Sequence, residues 1–403
     1  MPTFPAVLLP AEGPVEGLIG EVDALPLADS TVGAQRAAAL RAVGAELVDA
    51  GALAADQPRL VLRQDAVVTG AALQALLAVG GAGDRSLQVG GAVEQLCGRV
   101  RFGDDSPVVG ILSDGRGDAR ARLAAAPAQV APPGGRVVPF PLAPGQFQDE
   151  QIELPISDLL AAPLTHWLQL LWWNLLRLAP TLLRGLSSLN PLVAVPRLCG
   201  AAWRAGSLRP MAVAAQARRL DAGAEVHPSA VVQASWLGPG SKVGAGAIVR
   251  GCVLGAGAQV EEQGLVEGTV LAPGARVQRK AMVKFSLLRE GAMAGGYMQL
   301  GVLDQNSAFK LTSALLDQSF GAPVEVRVGG RRCTAPYGLA GVCLGARSVV
   351  GAGVMVAPGR IVPPDLQIMP NPNSVLRRIP TALRGRVVIV DGGLAPADAG
   401  GAP

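Results

Sequence analysis

The chain has 403 residues, of which 50% are hydrophobic, 16% charged and 3% aromatic, and a formal net charge of +4. That length fits two or three domains with ample material for a core, and so mild a charge without a long basic run leaves no footprint for nucleic acid. The cysteines at 97, 199, 252, 333 and 343 form no CxxC pair, so neither a disulfide framework nor a zinc knuckle is indicated. Lysine occurs only at 242, 280, 284 and 310, against a large excess of arginine, which is the mark of codon bias more than of electrostatic design. No basic segment followed by an apolar run opens the sequence, so a cytoplasmic location is expected.

In chain order, the first 125 or so residues alternate strand and helix patterns. Phe4 to Leu9 reads as a buried strand, and Pro10-Ala11-Glu12-Gly13-Pro14 forces a loop. Gly33 to Val43 has a helix pattern stopped by Gly44, Glu46 to Val48 is a short strand, and Arg59 to Leu62 is a strand running into Arg63-Gln64-Asp65. An apolar helix follows from Gly70 to Ala78. This alternation suggests a parallel sheet with ligands at the strand ends. Residues 127 to 155 are rich in proline and glycine, and Ala131 to Gly135 reads as a linker or exposed loop.

From Leu159 to Leu186 the chain is strongly apolar. Leu160, Leu164, Trp167, Leu171, Leu175, Leu178 and Leu182 follow helical spacing, whereas His166, Gln169, Asn174, Arg177, Thr181 and Arg184 lie mostly off that stripe. The expected form is a packed connector helix, with Asp158 as its N-cap. Its tryptophans also suit contact with a membrane surface, so the protein is expected to be cytoplasmic with possible membrane association through 159–186. Leu189 to Ala217, divided by Pro191, Pro196 and Pro210, reads as a broken helical continuation of the connector over 151–222.

A period of 17 residues then takes over. Val226, Val243, Val260 and Val277 share it, as do Val232, Val249, Val266 and Val283, and Leu237, Leu254, Leu271 and Leu288. Each unit carries three aliphatic residues, which describes a coil of three short flat faces sending one branched side chain inward from each. Leu344, Val350, Val356, Val362 and Ile368 resume the pattern after a break. The break, 303–338, is read as an insertion: a helix from Asp304-Gln305-Asn306-Ser307 to Leu316, then a hairpin over Val324 to Arg332 turning at Gly329-Gly330. Residues 380–403 form a tail.

These repeats resemble the hexapeptide repeats of left-handed parallel β-helix proteins, over roughly 223–302 and 339–375. The resemblance implies a left-handed β-helix at 223–379 and a homo-oligomer, most simply a trimer built on flat faces. The segments before it resemble, in degenerate form, the nucleotidyltransferase domain of sugar-nucleotide pyrophosphorylases, which puts a shortened nucleotidyltransferase-like α/β domain at 1–150. The fold class is therefore α/β plus β-solenoid.

That second resemblance makes Ala11, Glu12 and Gly13 the phosphate loop. It also makes Asp65 the catalytic carboxylate holding Mg²⁺, with Asp158 near the place of a second metal carboxylate. Its partners are a nucleoside triphosphate and a sugar phosphate, joined by in-line attack on the α-phosphorus. The chain departs from the family in having no Thr-Arg after Gly13, no lysine before Lys242, and Gln64 where a glycine precedes the aspartate. A site for an anionic ligand is expected where Arg276, Arg279, Lys280, Lys284 and Arg289 approach Lys310, Arg331 and Arg332.

Two histidines, His166 in the apolar helix and His227 in a His-Pro-Ser-Ala start of the first coil, leave little for a base or a zinc triad. Three functions stay open: forming or binding a sugar nucleotide, a non-catalytic oligomeric scaffold or regulatory subunit, and acyl transfer.

Overall fold

A computed structural model describes residues 4–49, 53–78, 83–89, 91–102, 105–131, 136–141, 151–187, 195, 199–204, 206, 209, 213, 216–319, 321–371, 387–390 and 393–396. Most of the expected connector from Leu189 to Ala217, and most of the tail, lie outside these residues.

The N-terminal part is built on a six-stranded mixed sheet. Its strands lie in the order Ala45–Leu47, Phe4–Leu9, Arg59–Arg63, Val109–Leu112, Arg85–Val89, Ala128–Ala131. Phe4–Leu9 pairs in parallel with both neighbours, and Val109–Leu112 runs antiparallel between Arg59–Arg63 and Arg85–Val89. Buried runs such as Leu60-Val61-Leu62 fit a sheet covered on both faces. Helices α1 (Val32–Ala42), α2 (Gly70–Ala78), α3 (Gly91–Val100) and α4 (Ala119–Ala125) connect the strands. Thr31 caps α1 by accepting from Ala34 N. The proline- and glycine-rich stretch carries a strand, Ala128–Ala131, and an antiparallel pair, Arg136–Pro141 with Gln151–Ile156.

Helix α5 (Trp167–Ser187) starts eight residues later than its apolar run, because Ala161–Pro163 instead pairs antiparallel with Ala66–Val68. It is buried on both sides. Trp167, Leu168, Leu171 and Trp173 have no exposed surface, and neither has Gln169. The polar residues off the stripe are therefore ties rather than a solvated face. Gln169 Oε1 accepts from Thr165 N at 2.7 Å and its Nε2 donates to Val100 O at 3.2 Å. Asn174 Oδ1 accepts from Ala28 N at 2.7 Å, and its Nδ2 donates to Pro26 O at 3.0 Å. No described helix is long and apolar enough to cross a membrane. The expected membrane-surface contact is corrected too, since Trp167, Trp172 and Trp173 are at most 2% exposed and face protein.

The C-terminal part is a three-sided parallel β-helix. Its first face runs from Arg218–Leu220 to Ile361–Val362, its second from Glu225–Val226 to Gln367–Ile368, and its third from Val231–Gln233 to Met355–Val356, with eight, eight and seven strands. Register follows the period, with Val243 opposite Val260, Val249 opposite Val266, and Leu254 opposite Leu271. Val249, Val266, Val277 and Leu288 are wholly buried in one core. Gly223, Gly240, Gly257, Gly274 and Gly291 stack at one corner with φ between 65° and 71°, a left-handed turn that costs glycine nothing.

The expected helix from Asp304 to Leu316 is absent. The chain instead makes another coil, in which Leu303, Phe309 and Leu315 point inward and pair with Leu344, Val350 and Val356. The preceding coil is two residues short, between Ala294 and Met298, and Phe309 stacks opposite Ala294, so a large side chain lies beside a small one. The insertion proper follows Leu315 and carries the hairpin Glu325–Val328 and Arg331–Thr334, turning at Gly329 and Gly330.

The first face is apolar outside as well as inside. Val253, Val270, Leu287, Val302 and Cys343 are buried in the same core as α5 and the N-terminal sheet. At roughly 25 cal/mol per Å² of apolar surface, burying each such side chain stabilises by about 1.5–3 kcal/mol. This stripe fastens the two parts into one body.

Candidate functional site

The phosphate loop, metal and cation-cluster expectations meet a different chemistry. Asp65 is 1% exposed, and both carboxylate oxygens are taken by Arg63, from Nε to Oδ1 at 3.0 Å and from Nη2 to Oδ2 at 2.8 Å. Asp158 caps no helix; its Oδ1 takes Arg177 Nη1 at 2.9 Å and Arg184 Nη1 at 3.0 Å. Among the described residues no group of three or more His, Cys, Asp or Glu side chains is arranged to hold a metal ion. Residues spent on guanidinium groups do not fit a Mg²⁺ centre, and no step through one is derived. In the expected loop, Ala11 N reaches Gln64 Oε1 at 3.4 Å, Glu12 pairs with Arg120 at 2.7 Å, and Gly13 has open space where a side chain would be.

The expected cation cluster is dispersed. Lys284 pairs with Glu267 at 3.0 Å and Arg279 with Glu262 at 3.1 Å. Lys280 occupies a left-handed corner position with φ 62°, and Lys310 stands at the same corner two coils on, where the second face meets the third. Arg331 and Arg332 belong to the hairpin on the side of the first face. Arg289 is not a surface cation at all. It is fully buried and paired with the equally buried Asp304, and the two grip the loop after the first strand. Asp304 Oδ2 accepts from Ile19 N at 2.8 Å, and Arg289 Nη1 donates to Ile19 O at 2.8 Å. The sequence signal for this grip was the replacement of Gly238, Gly255 and Ala272 by Arg289 and Asp304 at one place in successive coils.

The same loop builds the candidate site. Glu16 N donates to Thr165 O at 2.8 Å, Glu16 O accepts from Trp167 N at 3.0 Å, and Glu16 Oε2 accepts from Gly329 N at 2.9 Å. His166 Nδ1 accepts from Leu168 N at 3.2 Å, which leaves Nε2 as the donor to Arg327 O at 3.1 Å. Burial pulls the His166 imidazole down to about 4, against the opposing pull of the Arg327 carbonyl. It is a neutral latch on the hairpin.

Held this way, the hairpin, the loop and the last coils enclose a cleft of 470 Å³. Arg327, Arg332 and Arg360 line it with Glu16 and Glu325. Glu325 lies 3.6 Å from Arg332, so the cations are in excess. Gly359 lets coil and hairpin touch: a side chain there would sit 2.5 Å from Glu325 O, and its φ is 70°. The cleft has the size of a small-molecule site and the charge of an anion site.

No protein-family model matches the chain, and no curated protein matches it. Solved structures match only in part. A hexapeptide transferase family protein from Anaplasma phagocytophilum is 16% identical over 41% of this chain and 80% of its own, with a TM-score of 0.24. A putative acetyltransferase from Bacillus cereus is 12% identical over 38% of this chain and 72% of its own, at 0.21. PerB from Caulobacter crescentus, solved with CoA and GDP-perosamine, is 20% identical over 36% of this chain and 54% of its own, at 0.16. TM-scores this low carry no argument about what this chain does.

Proposed function

We propose that this chain is a binding and assembly protein that takes a phosphate-bearing small molecule, the class that includes sugar nucleotides, in the cleft between hairpin, loop and last coils. The observation that carries this is the set of three guanidiniums, Arg327, Arg332 and Arg360, bordering one cleft with an incomplete carboxylate balance. The non-catalytic character rests on Asp65 and His166, whose polar atoms are spent on internal partners, and on Asp158, whose Oδ1 holds two arginines. A thermal-shift and titration panel of nucleoside triphosphates, sugar nucleotides and acyl-CoA, with and without Mg²⁺, tests it. One of the phosphate ligands is expected to bind saturably, and Arg360→Ala to weaken it at least tenfold without changing the melting temperature. Absence of binding across the panel, or full binding by Arg360→Ala, overturns the assignment.

A second function, acyl transfer, is favoured by one observation. His227 is exposed in the first coil, with Nδ1 2.9 Å from Ser229 Oγ, a geometry suited to a proton acceptor. Consumption of acetyl-CoA that disappears in His227→Ala would establish it, and wild-type inactivity on amine and hydroxyl acceptors would remove it.

A further inference from the structure

Helix α2 starts without a side-chain cap. Thr69, which stands where a cap would be, is committed elsewhere, its Oγ1 accepting from Leu160 N at 3.0 Å and donating to Leu160 O at 3.3 Å. The first bond of the helix runs from Leu73 N to Thr69 O at 3.1 Å. The amides of Gly70, Ala71 and Ala72 therefore present the positive end of a nine-residue helix, with no side-chain acceptor among the described residues.

This end opens on a second cavity, of 300 Å³, whose walls of Ala38, Ala42, Gly70 and Ala71 leave room beside Arg177 and Arg184 of α5. The Arg177 side chain is only 2% exposed. Its Nη1 goes to Asp158 Oδ1, the same oxygen that Arg184 uses, while its Nε is buried without any hydrogen-bond partner. Burial holds the Arg177 guanidinium below the usual arginine range, and repulsion from Arg184 adds to it. Asp29, the other carboxylate acting on Arg177, is exposed and does not line the cavity. Arg177 and the helix N-terminus thus share the cavity with a single lining carboxylate, Asp158.

We propose that this cavity is an anion site for the phosphate group of a small phosphomonoester, bound by the first amides of α2 and by Arg177. A helix N-terminus supplies convergent N–H donors and a favourable dipole, and guanidinium adds charge-assisted bonds. The cavity exceeds what a bare phosphate fills, and Gln35 and Gln74 line it with amides suited to a polar remainder. The site is separate from the arginine cleft and stands whether or not that cleft binds anything.

Isothermal titration of the full chain with inorganic phosphate, and separately with glycerol 3-phosphate, tests it. Saturable binding of glycerol 3-phosphate at one site is expected, at least as tight as that of phosphate. Because Arg177→Gln risks the fold, the principal variant is Ala71→Glu. It places a carboxylate in the first turn of α2, where it favours the helix and occupies the site itself. That variant should melt no lower than wild type and bind either probe at least tenfold more weakly, while Arg360→Ala binds both as wild type does. No saturable binding by wild type, unchanged binding by Ala71→Glu, or loss in Arg360→Ala alone overturns the proposal.

Discussion

Two buried groups titrate against each other. His166 falls from an ordinary 6.5 to about 4, so its contribution is whole above pH 6.5 and is lost as pH falls towards 4. Asp317 is shifted the other way, from 3.8 up to about 6, chiefly by burial; Tyr297 Oη stands 3.5 Å from Oδ1, and Oδ2 has no partner. Its contribution is whole below pH 3.8 and is lost as pH rises towards 6. At 1.36 kcal/mol per unit, each full shift corresponds to about 3 kcal/mol. The opposed slopes nearly cancel between pH 4.5 and 6. Urea unfolding at those two values should show little change in wild type. In His166→Gln stability should rise by about 2 kcal/mol as pH falls across this window, and in Asp317→Asn it should fall by about as much. Equal slopes in all three proteins would refute the pair. A third buried group makes a stronger claim. Asp304→Asn leaves the fully buried Arg289 with only the part-exposed Glu290, 3.7 Å from its Nε, and should cost about 3–5 kcal/mol by denaturant midpoint, with the loop at Ile19 losing its grip.

Among the elements, the coils were legible because their period is strict. Val249 and Gln259 show how far that goes: Val249 is wholly buried, whereas Gln259 points outward from the second face. Val249→Asp should cost several kcal/mol in thermal unfolding, and Gln259→Asp should be nearly silent. Legibility failed where a coil changed length. Between Ala294 and Met298 the repeat loses two residues, and the next coil takes Phe309 as a core residue, so the aliphatic signal fades and a helix is expected where the solenoid continues. It fails again at α5, where Leu160 and Leu164 of the expected stripe fall before the helix and the polar side is buried. Gln169, Asn174 and Arg177 bury by meeting partners from Val100, Ala28 and Asp158, which lie far away in sequence and leave no local mark. The outer stripe of the first face is legible as paired apolar residues, Val253-Leu254, Val270-Leu271 and Leu287-Leu288, since a coil needs only one inward residue per strand. Val270→Lys should therefore destabilise by several kcal/mol although it lies outside the coil core, because the lysine would be buried in the core shared with the N-terminal part without an anion.

For the whole molecule, the three faces have three fates, and this decides how copies associate. The first is covered by α5 and the N-terminal sheet, and the second presents Glu225, Lys242, Gln259 and Arg276 to solvent. The third carries an outward apolar column in which Val231 is 39% exposed, Met282 37% and Met355 73%. Beside that column Arg250, Glu267 and Lys284 satisfy one another across successive coils at 3.0 Å, so the charges need no outside partner. An apolar strip bordered by a closed ladder of charge is the surface most easily buried against a second copy, and a rigid flat face repeats naturally about a symmetry axis. Light scattering at micromolar concentration should therefore give a multiple of 41.0 kDa, with three as the expected count. Met282→Glu adds charge to that column without touching the coil core, and should shift the mass to 41.0 kDa while leaving the melting curve of the isolated chain unchanged. The third-face assignment fails if Met282→Glu keeps the wild-type mass, and association as such fails if wild type is already monomeric.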